Sequence, residues 1–314
     1  KTSIIYIYKK NKMKKILITG ALGQDGIILS KLYQKKNYKI FGFVKKKPKK
    51  GLKNVTYKIN NLKLKNKIKN HLRTIKPDIV LHLASSNNSF LKRKNKENYN
   101  INYLQNLKCT KNLLNSIVED KLKTRFIFAG SSLMFKNNSK KKVTEKDHFK
   151  SSEYYGKYKI DSHKFILSLK KKNNICASTV ILFNHDSAYR NKKFLIPKLV
   201  ESFKNKNFNF IETVYKLNIS GDFSHAEDIC NGIYKLSISK KNIDKIILSS
   251  NRRFYINKVI RYLEKYYNLK IKRKTIKNNI NHKLIGSNKL AKKILNYKVR
   301  KNLIDVCKDI VKNY

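Results

Sequence analysis

Short apolar runs alternate with helix-length segments through the first 185 residues, and that alternation leaves few folds open to the chain. Ile16–Thr19, Lys39–Val44, Val55–Ile59, Ile79–Leu83, Phe126–Ala129 and Ala177–Phe183 read as strands. A strand that is apolar on both faces must be covered on both, which is the condition of a parallel sheet between two layers of helices. The intervening segments supply those layers. One helix ends near Asn37, and a basic one through Ile68, Leu72 and Ile75 stops at Pro77, which has no N–H to continue it. A long one carries Leu104, Leu107, Leu113, Leu114 and Ile117, and another starts near Ser152. Past residue 185 the alternation loosens. Helices near Ile196–Lys204, Ala226–Leu236, Ile256–Tyr266, Asn288–Leu295 and Leu303–Val311 mix with short strands such as Ile246–Ser249. The reading is an α/β chain: a sheet domain over 13–183, then a smaller lobe over 184–314, partly interleaved with it. Residues 1–12 precede the first methionine, Met13, and are taken as an upstream extension.

The first strand runs into Gly20-Ala21-Leu22-Gly23-Gln24-Asp25-Gly26. Glycines at 20, 23 and 26 let backbone amides approach a pyrophosphate, and the following helix N-terminus attracts its charge. That predicts a Rossmann-type doubly wound sheet with a dinucleotide at the turn. The second strand ends Val44-Lys45-Lys46-Lys47 with no acid to take a ribose 2′-hydroxyl, so Lys45 and Lys46 point to a 2′-phosphate and hence NADP. Tyr155 and Lys159 lie four apart at the start of a helix, so they share a face. An ammonium beside a phenol lowers its pKa and suits it to proton transfer near neutrality. Ser131 and Ser132 follow the strand that ends at Gly130, where a hydroxyl can bind a substrate oxygen.

In this order the glycine turn, Ser131 and Tyr155-x-x-x-Lys159 resemble the extended short-chain dehydrogenase/reductases. Narrower segments are similar to the GDP-mannose 4,6-dehydratase family. They are Gly23-Gln24-Asp25-Gly26, Leu182-Phe183-Asn184-His185-Asp186-Ser187 with Arg190, Gly221-Asp222-Phe223-Ser224-His225-Ala226-Glu227-Asp228, and Gly286 with Lys289, Ala291 and Leu295-Asn296-Tyr297. The resemblance implies Tyr155 as catalytic base, Lys159 as its tuner and ribose ligand, and Ser131 in place of a threonine. It implies a cofactor site of Gly20, Gly23, Gln24, Asp25, Gly26, Lys45, Lys46, Asn61, Leu62, Leu83, Ala84, Ser85, His185 and Arg190 along with the catalytic pair. Asn61-Leu62 stands where the family has Asp-Leu against the adenine. Ser132, Asn184 and Lys198 would meet a nucleotide-sugar, GDP-mannose in the first place, in a homodimer or homotetramer. His225 reads as a structural, hydrogen-bonded histidine.

Two positions depart from the family pattern. Leu133 stands where the dehydratases place a glutamate two residues after the catalytic threonine. Dehydration needs a carboxylate to remove the C5 proton while water leaves C6, and loss of a general base costs about 10²–10⁴-fold. Glu145 is the acid considered as a replacement. Gly221 stands where the family has an arginine for the substrate pyrophosphate, and a lysine would lack that planar fork. A nucleotide-sugar 4-ketoreductase or epimerase, which needs no such glutamate, is therefore the second reading. A catalytically silent NADP- or polyanion-binding protein is the third.

The formal charge of +55 bears on that third reading. Of 74 basic residues nine are arginine, and the lysines spread along the chain, as at 45–50, 140–142 and 170–172, rather than gathering on one element. A nucleic-acid footprint would be a patch or stripe with interleaved aromatics, so no specific nucleic-acid partner is expected. Cys109, Cys176, Cys230 and Cys307 have neither disulfide nor metal-ligand spacing, which suits small, largely buried side chains, a reducing cytoplasm and no metal. No run of about 18 apolar residues offers a membrane span.

Overall fold

The structure, a computed structural model, describes residues 13–86, 96–136, 142–272 and 281–314. The extension before Met13, and two of the lysines in the 140–142 run, lie outside them.

Six parallel strands form most of the main sheet: β1 (Lys15–Thr19), β2 (Lys39–Val44), β3 (Val55–Ile59), β4 (Ile79–His82), β5 (Arg125–Ala129) and β6 (Ala177–Leu182). Their helices are α1 (Gln24–Gln34), α2 (Lys65–Ile75), α3 (Lys96–Glu119) and α4 (Tyr154–Asn173). The remaining strands are β7 (Asn184–Asp186), β8 (Ile219–Gly221), β9 (Phe223–His225), β10 (Lys245–Leu248), β11 (Phe254–Tyr255) and β12 (Asn281–His282). The later helices are α5 (Leu195–Lys204), α6 (Phe208–Lys216), α7 (Ala226–Ile238), α8 (Ile256–Tyr267), α9 (Lys289–Leu295) and α10 (Leu303–Asn313). The sheet order is β10-β6-β5-β4-β1-β2-β3, so successive crossovers leave β1 in opposite directions, to β2 on one side and β4 on the other. In sheets wound this way ligands bind at the carboxyl ends of the strands, where the winding reverses.

Strand alternation divides the core. Ile16 and Ile18 face a layer built from α1, α7 and α9, through Leu29, Ile233 and Leu295. Leu17, between them, faces the opposite layer of α2, α3 and α4, through Leu72, Leu114 and Ile166. That two-sided burial is why β1 had to be apolar at every inward position. After Asp186 the chain builds a separate core from α5, α6, α8 and α10, with Leu199, Val214, Ile260 and Val306 at its centre. It also returns to the main sheet: β10 pairs with β6, and α7 and α9 cover one face. A short 2-stranded ladder, β7 on β9, ties the end of β6 to the second core.

Candidate active site

The candidate site begins at the glycine turn, at the carboxyl end of β1. Gly20 has φ of +73°, a left-handed conformation that favours glycine, and a Cβ there would sit 3.0 Å from the Ala84 nitrogen. A Cβ on Gly26 would come 2.4 Å from the Gly20 carbonyl oxygen, so α1 can pass this close to the turn only without a side chain. Gly23 closes the turn, its N–H donating to the Gly20 oxygen at 2.9 Å. Behind it lies a buried polar chain. Thr19 Oγ1 accepts from the Ala84 N–H at 3.1 Å and meets His82 Nδ1 at 2.8 Å, while His82 Nε2 meets Thr110 Oγ1 at 3.1 Å. Burial, with the nearby Lys159 charge, holds His82 down to about 3, so it is neutral and serves as a strut between β1, β4 and α3. A histidine ending an otherwise apolar strand was the sequence signal for it.

Gln24 and Asp25 open α1. Gln24 Nε2 donates to the His185 carbonyl at 3.2 Å, and Ser187 Oγ donates to Gln24 Oε1 at 3.0 Å. Asp25 meets His185 Nε2 at 3.1 Å through both carboxylate oxygens. Arg190 pairs with Asp186 at 3.0 Å and lies 3.6 Å from the centre of the Phe194 ring. Burial would raise the Asp25 carboxyl, but the His185 charge and hydrogen bond, with Arg190 and Gln24, bring it down to about 2.

Tyr155 and Lys159 stand on the first turns of α4, as the spacing predicted. Lys159 is buried, its Nζ donating to the Ala129 carbonyl and lying 5.4 Å from the Tyr155 ring centre and 4.7 Å from that of Phe128. Burial pulls its ammonium down to about 7. Tyr155 is half-buried, and burial raises its phenol; a hydrogen bond with Ser85 and the Arg190 charge oppose this, and the Asp25 charge adds to it. The expected acidified phenol is thus corrected: desolvation outweighs the Ser85 hydrogen bond and the Arg190 charge, and Tyr155 stands protonated at neutral pH. Ser85 also accepts from Tyr158 at 2.8 Å, and the Tyr155 and Tyr158 rings meet edge-on at 5.4 Å. Tyr158 had no sequence signal beyond being one more tyrosine. Ser131 caps the 3-10 turn Ser132–Met134, its Oγ accepting from the Leu133 N–H at 3.2 Å, which leaves its own hydrogen to donate.

The other candidates scatter around this centre. Leu83 packs on the main core, and Ala84 lies against the Gly20 turn. Lys45 and Lys46 are exposed just past β2. The Leu62 carbonyl accepts from Asn112, and Asn61 holds its own turn by accepting from the Lys63 N–H at 3.1 Å. Asn184 is exposed on β7, donating to the Asp222 carbonyl at 3.1 Å. Lys198 lays its ammonium 5.3 Å from the Phe210 ring centre inside the second lobe. His225 caps α7, accepting from the Glu227 N–H at 3.2 Å, and pairs with Asp309 at 3.3 Å. Of the cysteines, Cys230 and Cys307 are buried and Cys109 and Cys176 half-buried.

The two departures acquire physical meaning here. The Leu133 carbonyl lies against α4 so closely that a Cβ on Gly156 would be 2.2 Å from it, which places residue 133 beside the Tyr155 turn. Glu145, the acid considered as a substitute, accepts the Ile247 N–H at 2.8 Å, so its carboxylate is engaged at the outer edge strand β10. Position 221 has no room for a side chain, because a Cβ there would be 2.9 Å from that of Lys283. Arg253 lies close by, donating to Ser220 Oγ at 3.1 Å.

A family model described as GDP-mannose 4,6 dehydratase matches residues 17–310, all but the ends of the span just described. The chain belongs to that family. Among curated members, GDP-mannose 4,6 dehydratase of Cricetulus griseus is 22% identical over 284 residues, 82% of this chain and 73% of that protein. The Homo sapiens family member is 22% identical over 276 residues, 80% of this chain and 71% of that one. A solved UDP-glucose 4-epimerase superposes with a TM-score of 0.82 at 16% identity, covering 96% of this chain and 97% of its own. UDP-glucuronic acid 4-epimerase from Bacillus cereus, solved in complex with NAD, gives 0.78 at 18% identity and covers 95% and 96%. At such identities these structures establish the Rossmann-like fold that the family shares with them. Among the described residues no helix is long and apolar enough to cross a membrane, and no three His, Cys, Asp or Glu gather as a metal site.

Proposed function

We propose that this chain is a nucleotide-sugar-modifying enzyme that exchanges a hydride at sugar C4 with bound NADP. The observation that supports the reading is Lys159, 5.4 Å from the Tyr155 ring centre and bonded to the Ala129 carbonyl two residues before Ser131, in a fold whose glycine turn has no room for a Cβ at Gly20 or Gly26. The turn fits a dinucleotide: the Gly20 and Gly26 positions are bare, and the N-terminus of α1 faces the bend. Gly20, Gly23 and Gly26 would line the pyrophosphate, Lys45 and Lys46 a 2′-phosphate, Asn61 and Leu62 the adenine, and Leu83 to Ser85 with Lys159 the nicotinamide half. His185 would support that half from β7, and Arg190 from the turn behind it. NADP, when bound, supplies the hydride acceptor and donor.

The chain's own residues handle the proton. Tyr155 exchanges it with the oxygen on C4, Ser131 donates a hydrogen bond to that oxygen, and Lys159 lends charge to the pair. Ser132 and Asn184 lie on the substrate side, with GDP-mannose the favoured substrate, and Lys283 and Arg253 beside Gly221 are cations suited to its diphosphate. Lys198, on α5 against the Phe210 ring, is the remaining substrate candidate.

Two observations favour the reductase or epimerase form of this reading over dehydration, and a third favours the reductase. Leu133 cannot take the C5 proton, Glu145 is committed to β10, and a protonated Tyr155 is poised to give a proton to a 4-keto oxygen. The test is incubation of the protein with NADP and GDP-mannose, and with NADPH and a 4-keto nucleotide-sugar, followed by mass spectrometry. Gain of two hydrogens by the keto-sugar is expected. Loss of one water from GDP-mannose at ordinary turnover would return the reading to dehydratase, an unchanged mass with inverted C4 by NMR would make it an epimerase, and no change in mass or stereochemistry would leave a binding protein. Calorimetric titration should show NADP bound about tenfold or more tighter than NAD, because no acid ends β2; equal affinities would remove Lys45 and Lys46 from the site.

A further inference from the structure

Gln24 and Asp25 open the helix that starts at the glycine turn. Apart from one hydrogen bond to each other, the side-chain hydrogen bonds described for them run to His185 and Ser187, at and just beyond β7. His185 is buried, with Nδ1 2.6 Å from the Phe183 carbonyl oxygen and Nε2 3.1 Å from both oxygens of Asp25. Neither acceptor has a hydrogen to offer, so only a ring protonated on both nitrogens satisfies both contacts. β7 pairs with β9, and α7 follows β9 directly; the Cys230 thiol of α7 in turn reaches the Asp25 carbonyl at 3.8 Å. The glycine turn is thus fastened to the first strand of the second lobe by a buried charge pair.

We propose that Asp25 and His185 form a positioning ion pair that holds the dinucleotide turn and the second lobe in register, so that affinity at the turn depends on the pair. The inference rests on the reading that a nicotinamide dinucleotide binds this turn. Asp25 is fixed in the first turn of α1, where the helix dipole favours its charge. The other groups facing the pair are Arg190, behind β7, and Asp186, on β7, which pair with each other, and, on the Asp25 side, the Tyr155 phenol from α4 and the Cys230 thiol from α7, both pushed up by burial and uncharged. Burial alone would discharge the imidazolium, but the Asp25 charge and hydrogen bond outweigh it, so His185 keeps its proton above the usual histidine range. The pair is therefore intact below that raised value and lost as pH rises through it.

The experiment follows the His185 ring by NMR against pH in the wild type and in Asp25→Asn, and measures NADPH and NADH affinity of both across the same range. His185 is expected to titrate above 6.5 in the wild type and to move down in the variant. Dinucleotide affinity should fall about tenfold in Asp25→Asn, a usual size for coupled sites, and in the wild type it should weaken as pH passes the His185 midpoint. A pair that merely stabilised the fold would lower the melting temperature and leave the affinity and its pH profile unmoved, which overturns the inference. So does a wild-type His185 that titrates at or below 6.5, a result that stands even if the variant fails to fold. A wild-type chain that binds neither dinucleotide overturns the proposed function instead, while the His185 titration still decides the ion pair.

Discussion

At the residue scale the chemistry rests on one hydroxyl and one missing carboxylate. Tyr155→Phe removes the proton-transferring group while keeping the ring that packs edge-on against Tyr158. Turnover is expected to drop about 10²–10⁴-fold, the usual contribution of a general acid or base. Dinucleotide affinity should hardly change, which fluorescence titration with NADPH beside an activity assay will show. Leu133 offers the complementary change. The unmodified chain is expected to turn GDP-mannose into a 4-keto-6-deoxy sugar only slowly, and Leu133→Glu should raise that rate, since residue 133 already lies beside the Tyr155 turn. The same change should not speed C4 reduction, because it desolvates a carboxylate in the site. Native dehydration at ~1–10³ per second, the ordinary enzyme range, would mean that some other group removes the C5 proton.

At the element scale, β10 is an outer strand of the main sheet, and an edge strand leaves backbone N–H groups to be satisfied. Glu145 takes the one at Ile247. Burial raises its carboxyl above the usual range, against the pull of the Ile247 N–H and the Lys245 charge. Glu145→Ala should cost about 1–3 kcal/mol in urea unfolding, whereas Glu145→Gln keeps an acceptor and should lose little. Neither should alter turnover, and a large loss of activity in Glu145→Gln at unchanged stability would restore Glu145 as a base. The sequence signals for elements were strong wherever periodicity carried them. β2 and β3 have the bounds read from the sequence, β1 begins one residue earlier, at Lys15, and Tyr155 and Lys159 share α4. β4 ends at His82 rather than Leu83, because the chain turns there to close on Gly20.

At the scale of the whole molecule, histidines buried without charge set the acid side of its stability. Burial holds His82 at about 3 and His163 at about 4, the latter against Thr179 Oγ1 at 2.8 Å. Both ionise near 6.5 once unfolded. Their contribution is complete above pH 6.5 and is lost as pH falls toward the folded values, at about 1.4 kcal/mol per pH unit for each. His185 has the opposite sign, contributing below 6.5 and losing that contribution as pH rises through its raised value. Melting temperatures should therefore decline steadily from pH 6.5 to pH 4, and a flat profile would mean that water reaches His82 and His163.

The sequence by itself determined the parallel α/β sheet, the glycine turn after β1 and the Tyr155–Lys159 face of α4. These follow from patterns a few residues long, where backbone sterics and helical or strand periodicity act locally. Only the tertiary structure decided how the side chains around the turn are used. Asp25 and His185 are 160 positions apart, Glu145 and Ile247 102, Tyr158 and Ser85 73. The protonation states of Tyr155, Lys159 and His185 likewise depend on how much water the assembled layers exclude and which charges they bring together, and no local pattern encodes either.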